Sequence, residues 1–343
     1  MRKTRNGLLN PSSATQRLIQ KMPRNAFSPL PQSRPRALRE GGTIGICAPS
    51  GFLPTPEKLP LAVNRLASHG YNVVVTPSVL AREGYCAGSA ESRLADLHRL
   101  VEDPSIDMIM AARGGFGLSH LLPRIDWKAC ASSQKLFCGF SDFTAFHLAL
   151  YSQTGQISLA GPMAVTDFAG SDESTFHSEH FWNLVSGQGP AKHTYPIWQS
   201  DQSLQPQKLE GIVWGGNLSL IAHLMGTPWF PQIEGGILFL EDIGEAPYRI
   251  ERMLMQLELS GILAKQSAIV LGAFTGCAPP EDAAAQYYLS EVITGLRKRF
   301  SGPVITGLPF GHIKDKFTLP FGAVSSLILD GLDCRLSVET TFT

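Results

Sequence analysis

A chain of 343 residues with 43% hydrophobic and 17% charged side chains is long enough for two domains with buried cores and has the composition of an ordinary globular protein. Its 29 basic and 29 acidic residues cancel, but residues 1–40 hold Arg2, Lys3, Arg5, Arg17, Lys21, Arg24, Arg34, Arg36 and Arg39 against Glu40 alone. The remainder is therefore mildly acidic, which argues against a nucleic-acid-binding body, and no apolar run approaches the ~20 residues of a membrane span.

Residues 1–40, rich in Pro, Ser and Asn and without periodicity, read as a disordered basic extension. They have the Arg-rich, acid-poor look of a transit peptide but lack the apolar segment of a secretory signal, so the expected location is cytoplasmic, with Met22 an alternative start. From Gly42 strands and helices alternate: strand 43–48, helix 59–69, strand 72–75, helix 92–101, strand 108–112 running into Arg113-Gly-Gly-Phe-Gly117, strand 136–140, and a helix opening at Asp142. This alternation predicts a parallel, Rossmann-like α/β domain over residues 41–165, with ligands at the carboxyl ends of its strands. Residues 166–208, poor in strand-like runs, read as a connecting region with one helix near 180–185. Residues 209–343 predict a second α/β domain: helix 218–225, strand 236–240, helix 248–259, strand 268–271, helix 283–300, strand 304–306 and short strands over 317–341.

Ser141 falls where strand 136–140 turns into a helix, so its hydroxyl sits at the top of a sheet with the next backbone N–H free to receive an oxyanion. It departs from the nucleophile-elbow pattern G-x-S-x-G, since Gly139 precedes it by two but Phe143 follows by two, and helix N-capping is the competing explanation. Glu241, directly after the apolar strand 236–240, is placed to orient an imidazole, and His312, in a loop after Gly311, is a candidate base. His147, six residues after Ser141, points elsewhere on the same helix, and His223 lies in an amphipathic helix. The glycines after Arg113 suit a backbone oxyanion donor, while Arg113 itself either clamps a substrate carboxylate or braces the loop. Trp214-Gly-Gly-Asn217 is assigned to shaping the site. Cys47, Cys86, Cys130, Cys138, Cys277 and Cys334 form no C-x-x-C pair and read as reduced thiols. His177 and His180, spaced i, i+3, have no third ligand nearby and read as a solvated face rather than a metal site. Nucleophile, acid and base thus come from two domains, which predicts an interdomain cleft.

These residues also sit in a series of ordered motifs: Ala112 to Gly117 with Leu121-Leu-Pro123, Gly139 to Ala145, Gly215-Gly-Asn-Leu-Ser219 with Gly226-Thr-Pro228, Ile237 to Asp242 with Pro247 to Arg252, and Gly311-His312. From about Gly42 onward the chain resembles the LD-carboxypeptidases, muramoyltetrapeptide carboxypeptidases of a serine-peptidase family that also includes the microcin C immunity peptidases. The resemblance implies a Ser-Glu-His triad of Ser141, Glu241 and His312 and an oxyanion hole from the N–H groups of Gly115 and Asp142. It implies a two-domain fold whose first domain is like class I glutamine amidotransferases, a homodimer, and no metal or cofactor. The implied substrate is a cytoplasmic muropeptide of peptidoglycan recycling, cut between the L-centre of a diamino acid and terminal D-alanine. Arg113, Gly114, Trp214 and Asn217 are the substrate-binding candidates. Phe116 and Phe140 stand where the family often has Tyr, which removes hydroxyl hydrogen bonds. The alternatives are a microcin-immunity-type peptidase acting on a peptidyl or aminoacyl nucleotide, and a non-catalytic muropeptide-binding protein.

Overall fold

A computed structural model describes residues 34–170, 175–186, 192–196, 198–279, 286–339 and 342. Within them the predicted α/β architecture appears as two six-stranded, largely parallel sheets. The first contains β1 (Thr43–Cys47), β2 (Asn72–Val75), β3 (Met108–Ala111), β4 (Leu136–Gly139) and β5 (Ser158–Ala160), all parallel, in the order β5-β4-β3-β1-β2. Runs such as Met-Ile-Met-Ala and Leu-Phe-Cys-Gly are buried at every position, because helices cover both faces. Ile44, Ile46, Met108, Met110, Leu136 and Cys138 pack into one core, while Ile109, Ala111 and Phe137 on the alternate face enter another. The strand order reverses between β1 and β3, and the crevice outside their carboxyl ends is the expected ligand position of such a sheet.

The second sheet runs β10-β9-β8-β7-β12-β6. Its members are β6 (Lys192–Thr194), β7 (Trp198–Asn217), β8 (Gly236–Ile243), β9 (Gln266–Thr275), β10 (Val304–Ile305) and β12 (Val324–Glu339). β11 (Leu319–Phe321) instead crosses back to lie antiparallel to β5 in the first sheet. The core that takes Phe137 and Phe143 continues without a break into Trp214, Phe239 and Leu240 of the second sheet.

Several elements differ from expectation. The connecting region expected over 166–208 contains β6 and the first half of β7, a 20-residue strand paired antiparallel with β12 along most of its length. Its Gln, Ser, Asp and Lys side chains are mostly exposed, so strand formation here follows from cross-strand pairing rather than propensity. Of the short strands expected over 317–341 one appears, β11, and the rest of the stretch is the single 16-residue strand β12. The helix expected from residue 283 runs from Leu289 to Arg299, started where Glu291 Oε2 accepts the Tyr288 N–H at 2.8 Å; residues 283–285 lie outside the described residues. The strand β5 and a short helix Trp127–Ser132, capped by Asp126, carried no sequence expectation. Of the basic extension, residues 1–33 lie outside the described residues; Arg36 and Leu38 donate backbone bonds to Gln134 O and Val185 O, and Leu38 is buried. No described helix is long and apolar enough to cross a membrane.

Candidate active site

Ser141 follows β4 through an extended Phe140 and opens a 3-10 turn that continues as the helix Thr144–Thr154. Its φ is +62°, left-handed, which costs a residue with a side chain about 1–3 kcal/mol and persists only where the surroundings enforce it. The enforcement is visible on three sides. A Cβ on Gly139 would lie 2.8 Å from the Phe143 ring and 3.1 Å from Ala111 Cβ, so only glycine lets the helix start pack onto β4. Gly139 O accepts the Gly161 N–H at 3.1 Å and the His147 Nε2–H at 2.9 Å. A Cβ on Gly114 would be 2.7 Å from Ser141 Cβ and 2.8 Å from its Oγ, so the turn after β3 approaches the serine at backbone distance.

That turn carries Gly115 at φ +109° and Gly117 at φ +114°. It is tied to the loop after β1 by Gly51 N–H donating to Gly114 O (3.1 Å) and Arg113 Nη1 donating to Phe52 O (2.7 Å). Arg113 therefore braces the loop through Nη1, and partial burial lowers its pKa from the ordinary arginine value. The buried Arg93 donates to Gly117 O at 2.9 Å from behind. The N–H groups of Gly115 and Asp142 donate to no acceptor among the described residues, which leaves them available to a ligand. The Asp142 carboxyl is buried, which raises its pKa, and it accepts the Leu118 N–H at 3.0 Å, so it ties helix start to turn.

Ser141 Oγ does not cap its helix. It lies 3.0 Å from His312 Nε2, although the two residues are 171 apart in sequence, and His312 Nδ1 lies 2.7 Å from Glu241 Oε2. The carboxylate can only accept, so Nδ1 carries the proton and Nε2 is left to accept from the serine hydroxyl. Between Leu240 and Asp242 the pairing with β9 slips by one residue, the extra residue lying on β9 opposite Glu241, and Ala273 N–H donates to Phe310 O (2.8 Å) at the root of the histidine loop. Gly311 at φ +127° passes so close that a Cβ would lie 3.1 Å from Glu241 Oε2. The Glu241 side chain is 0% exposed and that of His312 18%, so a substrate reaches the imidazole but not the carboxylate.

Residues 44–161 match the family model of the LD-carboxypeptidase N-terminal domain, and residues 210–327 that of the C-terminal domain. The chain belongs to the LD-carboxypeptidase family. A Bacillus subtilis relative named a probable murein peptide carboxypeptidase is 33% identical over 295 residues, covering 86% of this chain and 91% of its own. The crystal structure of muramoyltetrapeptide carboxypeptidase from Oxalobacter formigenes superposes with a TM-score of 0.80 at 40% identity, over 88% of this chain and all of that one. The Escherichia coli microcin C7 self-immunity protein MccF is 28% identical, covering 88% and 95% of the two chains.

Two of the substrate-binding candidates are buried. Trp214 is buried in the second-sheet core and donates its indole N–H to Gln266 Oε1 at 2.8 Å. Asn217 is buried too, and its amide is committed within the protein. Nδ2 donates to Glu241 Oε1 (3.2 Å) and Asp242 Oδ1 (3.0 Å), while Oδ1 caps the next helix through the Leu220 N–H (3.2 Å). Register explains this, because Asn217 on β7 pairs with Glu241 on β8. Asn217 thus satisfies a buried carboxylate that would otherwise have a bare oxygen. No short-range motif in the sequence pointed to that pairing.

His147 is buried, its Nε2–H on Gly139 O and its Nδ1 accepting from Ser158 Oγ (2.8 Å), and burial pushes its pKa down to about 4. His223 is exposed on its helix. His180 is half-buried, its ring 5.1 Å from Phe317, rather than on a solvated face; the His177 side chain lies outside the described residues. The six cysteines are free, with the Cys47 and Cys130 thiols pushed up to about 12 by burial. No group of three or more His, Cys, Asp or Glu among the described residues is arranged to hold a metal. A surface groove of about 840 Å³ along the helix Pro247–Leu259 includes none of Ser141, Glu241 and His312, so cavity size does not locate the chemistry here.

Proposed function

We propose that this chain is a serine-type LD-carboxypeptidase that hydrolyses the L,D-amide releasing terminal D-alanine from muropeptide tetrapeptides in peptidoglycan recycling, with Ser141 as nucleophile, His312 as base and Glu241 as its orienting acid. The observation that carries the reading is the hydrogen-bonded relay Ser141 Oγ, His312 Nε2, His312 Nδ1, Glu241 Oε2, at 3.0 and 2.7 Å. As Oγ attacks the amide carbonyl, its proton passes to Nε2, and the carbonyl oxygen becomes an anion facing the N–H groups of Gly115 and Asp142. Each such donor contributes on the order of 10²–10³ in rate. The C–N bond then breaks as Nε2 returns the proton to the amine of D-alanine, leaving an acyl-serine ester. Water, deprotonated by the same nitrogen, splits the ester to a carboxylate and regenerates the hydroxyl.

Arg113 is the candidate for the free carboxylate of D-alanine, through the guanidinium N–H groups other than the one held by Phe52 O. Gly114 contributes close backbone approach. A cytoplasmic location and a homodimer accompany the reading through the family resemblance.

The test is incubation of wild type and Ser141→Ala with a disaccharide tetrapeptide and, in parallel, with an aminoacyl nucleotide, followed by product masses. Release of D-alanine by wild type and its loss by several orders of magnitude in the variant are expected. Near-normal turnover by Ser141→Ala refutes the nucleophile. Cleavage of the nucleotide alone favours the microcin-type reading that the likeness to MccF suggests, and no product from either substrate favours a binding protein.

A further inference from the structure

The segment carrying His312 leaves the second sheet after β10 and joins the first at β11, so the base sits on a loop that crosses between sheets. On the second-sheet side it is held where His312 O accepts Thr275 Oγ1 at 3.1 Å. On the first-sheet side the holding group is Lys316, whose side chain is 2% exposed. Its Nζ pairs with Asp167 Oδ1 and stands 4.4 Å from the centroid of the Phe140 ring. Asp167 is itself fixed, because Oδ2 accepts the Met163 N–H at 2.8 Å at the start of the helix Ala164–Phe168. The Phe140 ring lies 5.0 Å from the His312 imidazole, and the Phe140 backbone continues directly into Ser141. One buried ring therefore touches the base, the ammonium and, through the chain, the nucleophile.

Such a pair is a poor source of net stability, because removing both charges from water offsets most of their attraction. What it does supply is fixed geometry, through a charged contact and a cation–π contact at defined positions. We propose that Lys316 and Asp167 are positioning residues of the active site, clamping the His312 loop against Phe140 and so setting the reach of His312 Nε2 to Ser141 Oγ across the two sheets. This rests on the catalytic reading of Ser141 and His312 above.

The test uses the full chain. Lys316→Met removes the charge and keeps a stem; Asp167→Asn removes the opposing charge and keeps an oxygen for the Met163 N–H. Each is made alone and both together, with Lys316→Arg as the conservative variant. Four quantities are read: kcat, KM for the disaccharide tetrapeptide, the rate of fluorophosphonate labelling of Ser141, and Tm. Lys316→Met and the double variant are expected to lose about 100-fold in kcat and labelling rate alike, the order that a displacement of about 1 Å costs, with KM nearly unchanged. Lys316→Arg should recover most of both rates.

The double variant leaves no unpaired buried charge, so it should keep a near-native Tm even where Lys316→Met alone fails to fold. A double variant with native kcat and labelling rate overturns the proposal, as does a loss confined to KM. If instead wild type is not labelled at Ser141, the catalytic reading falls and the positioning role with it. Labelled wild type with unaffected variants removes only the positioning role.

Discussion

Replacing Glu241 by Gln tests the relay with the smallest change of shape. The carboxylate is fully buried and accepts from two fixed donors, His312 Nδ1 at 2.7 Å and Asn217 Nδ2 at 3.2 Å. Glutamine has one acceptor oxygen and one NH₂ to offer in their place. Asn217 cannot rotate to accept, because Nδ2 also serves Asp242 and Oδ1 caps Leu220. If the glutamine oxygen faces His312, two NH₂ groups confront each other in the core, at about 1–3 kcal/mol for the unsatisfied donor. If it faces Asn217, the NH₂ meets Nδ1 and drives His312 to the other tautomer, with the proton on Nε2 and nothing to accept from Ser141. Either way the imidazolium loses its counter-charge. The expected loss in kcat is about 10⁴-fold, or about 5.5 kcal/mol of transition-state stabilisation, the magnitude of the corresponding amide substitution in Ser-His-Asp proteases. D-alanine release at saturating tetrapeptide measures it, with Tm expected to fall only by a few degrees. A folded Glu241→Gln enzyme whose kcat is within about tenfold of wild type refutes the role of the carboxylate, since both orientations of the amide remove the imidazolium's counter-charge.

Gly114→Ala inserts a methyl 2.7 Å from Ser141 Cβ and 2.8 Å from Oγ, so the turn after β3 must retreat; a loss of about 100-fold in kcat with an intact fold is expected, and unchanged turnover would contradict the close approach. Ser141→Gly should abolish turnover yet raise stability by about 1 kcal/mol, because relief of left-handed strain exceeds the entropy glycine adds to the unfolded chain; a Tm at or below wild type argues against stored strain. Acid stability should report His147. Its native pKa is about 4 and the unfolded value about 6.5, so between them the unfolded chain binds a proton the native chain refuses. Stability is then intact above pH 6.5 and falls as pH drops, by about 2 kcal/mol at pH 5 and about 3 kcal/mol at pH 4. The half-buried His193, also pushed down to about 4 by burial, adds to the same slope, so the comparison is urea unfolding of wild type and His147→Gln at pH 7 and pH 5. Equal losses in the two proteins refute the assignment to His147.

Much of the first sheet was legible because its signals are local. Apolar runs of four or five residues separated by helical periodicity can fold only as parallel strands with covered faces, and they placed Ser141 at a strand-to-helix corner and the glycine turn beside it. His312 was legible as a polar residue in a loop after an apolar strand, and Glu241 as the first acid after an apolar run, although β8 continues past it to Ile243 and does not end there as expected. The long ribbon of β7 and β12 was not, since its polar residues become a strand only once a partner far along the chain supplies the hydrogen bonds. The burial of Trp214 and Asn217 was not legible, because register, not composition, decides whether a residue beside a glycine pair faces a substrate, a core or a carboxylate.

By itself, then, the sequence determined the kinds of elements, the strand-to-helix corner that carries Ser141, and the chemical types of the candidate groups. Tertiary structure alone decided that Ser141, His312 and Glu241 meet, that Asn217 completes the buried carboxylate, and that Lys316 and Asp167 grip the loop between them. Propensity and periodicity act over a few residues, whereas the 3.0 Å contact between Ser141 and His312 spans 171 residues and depends on a shared core and a loop that crosses between the sheets.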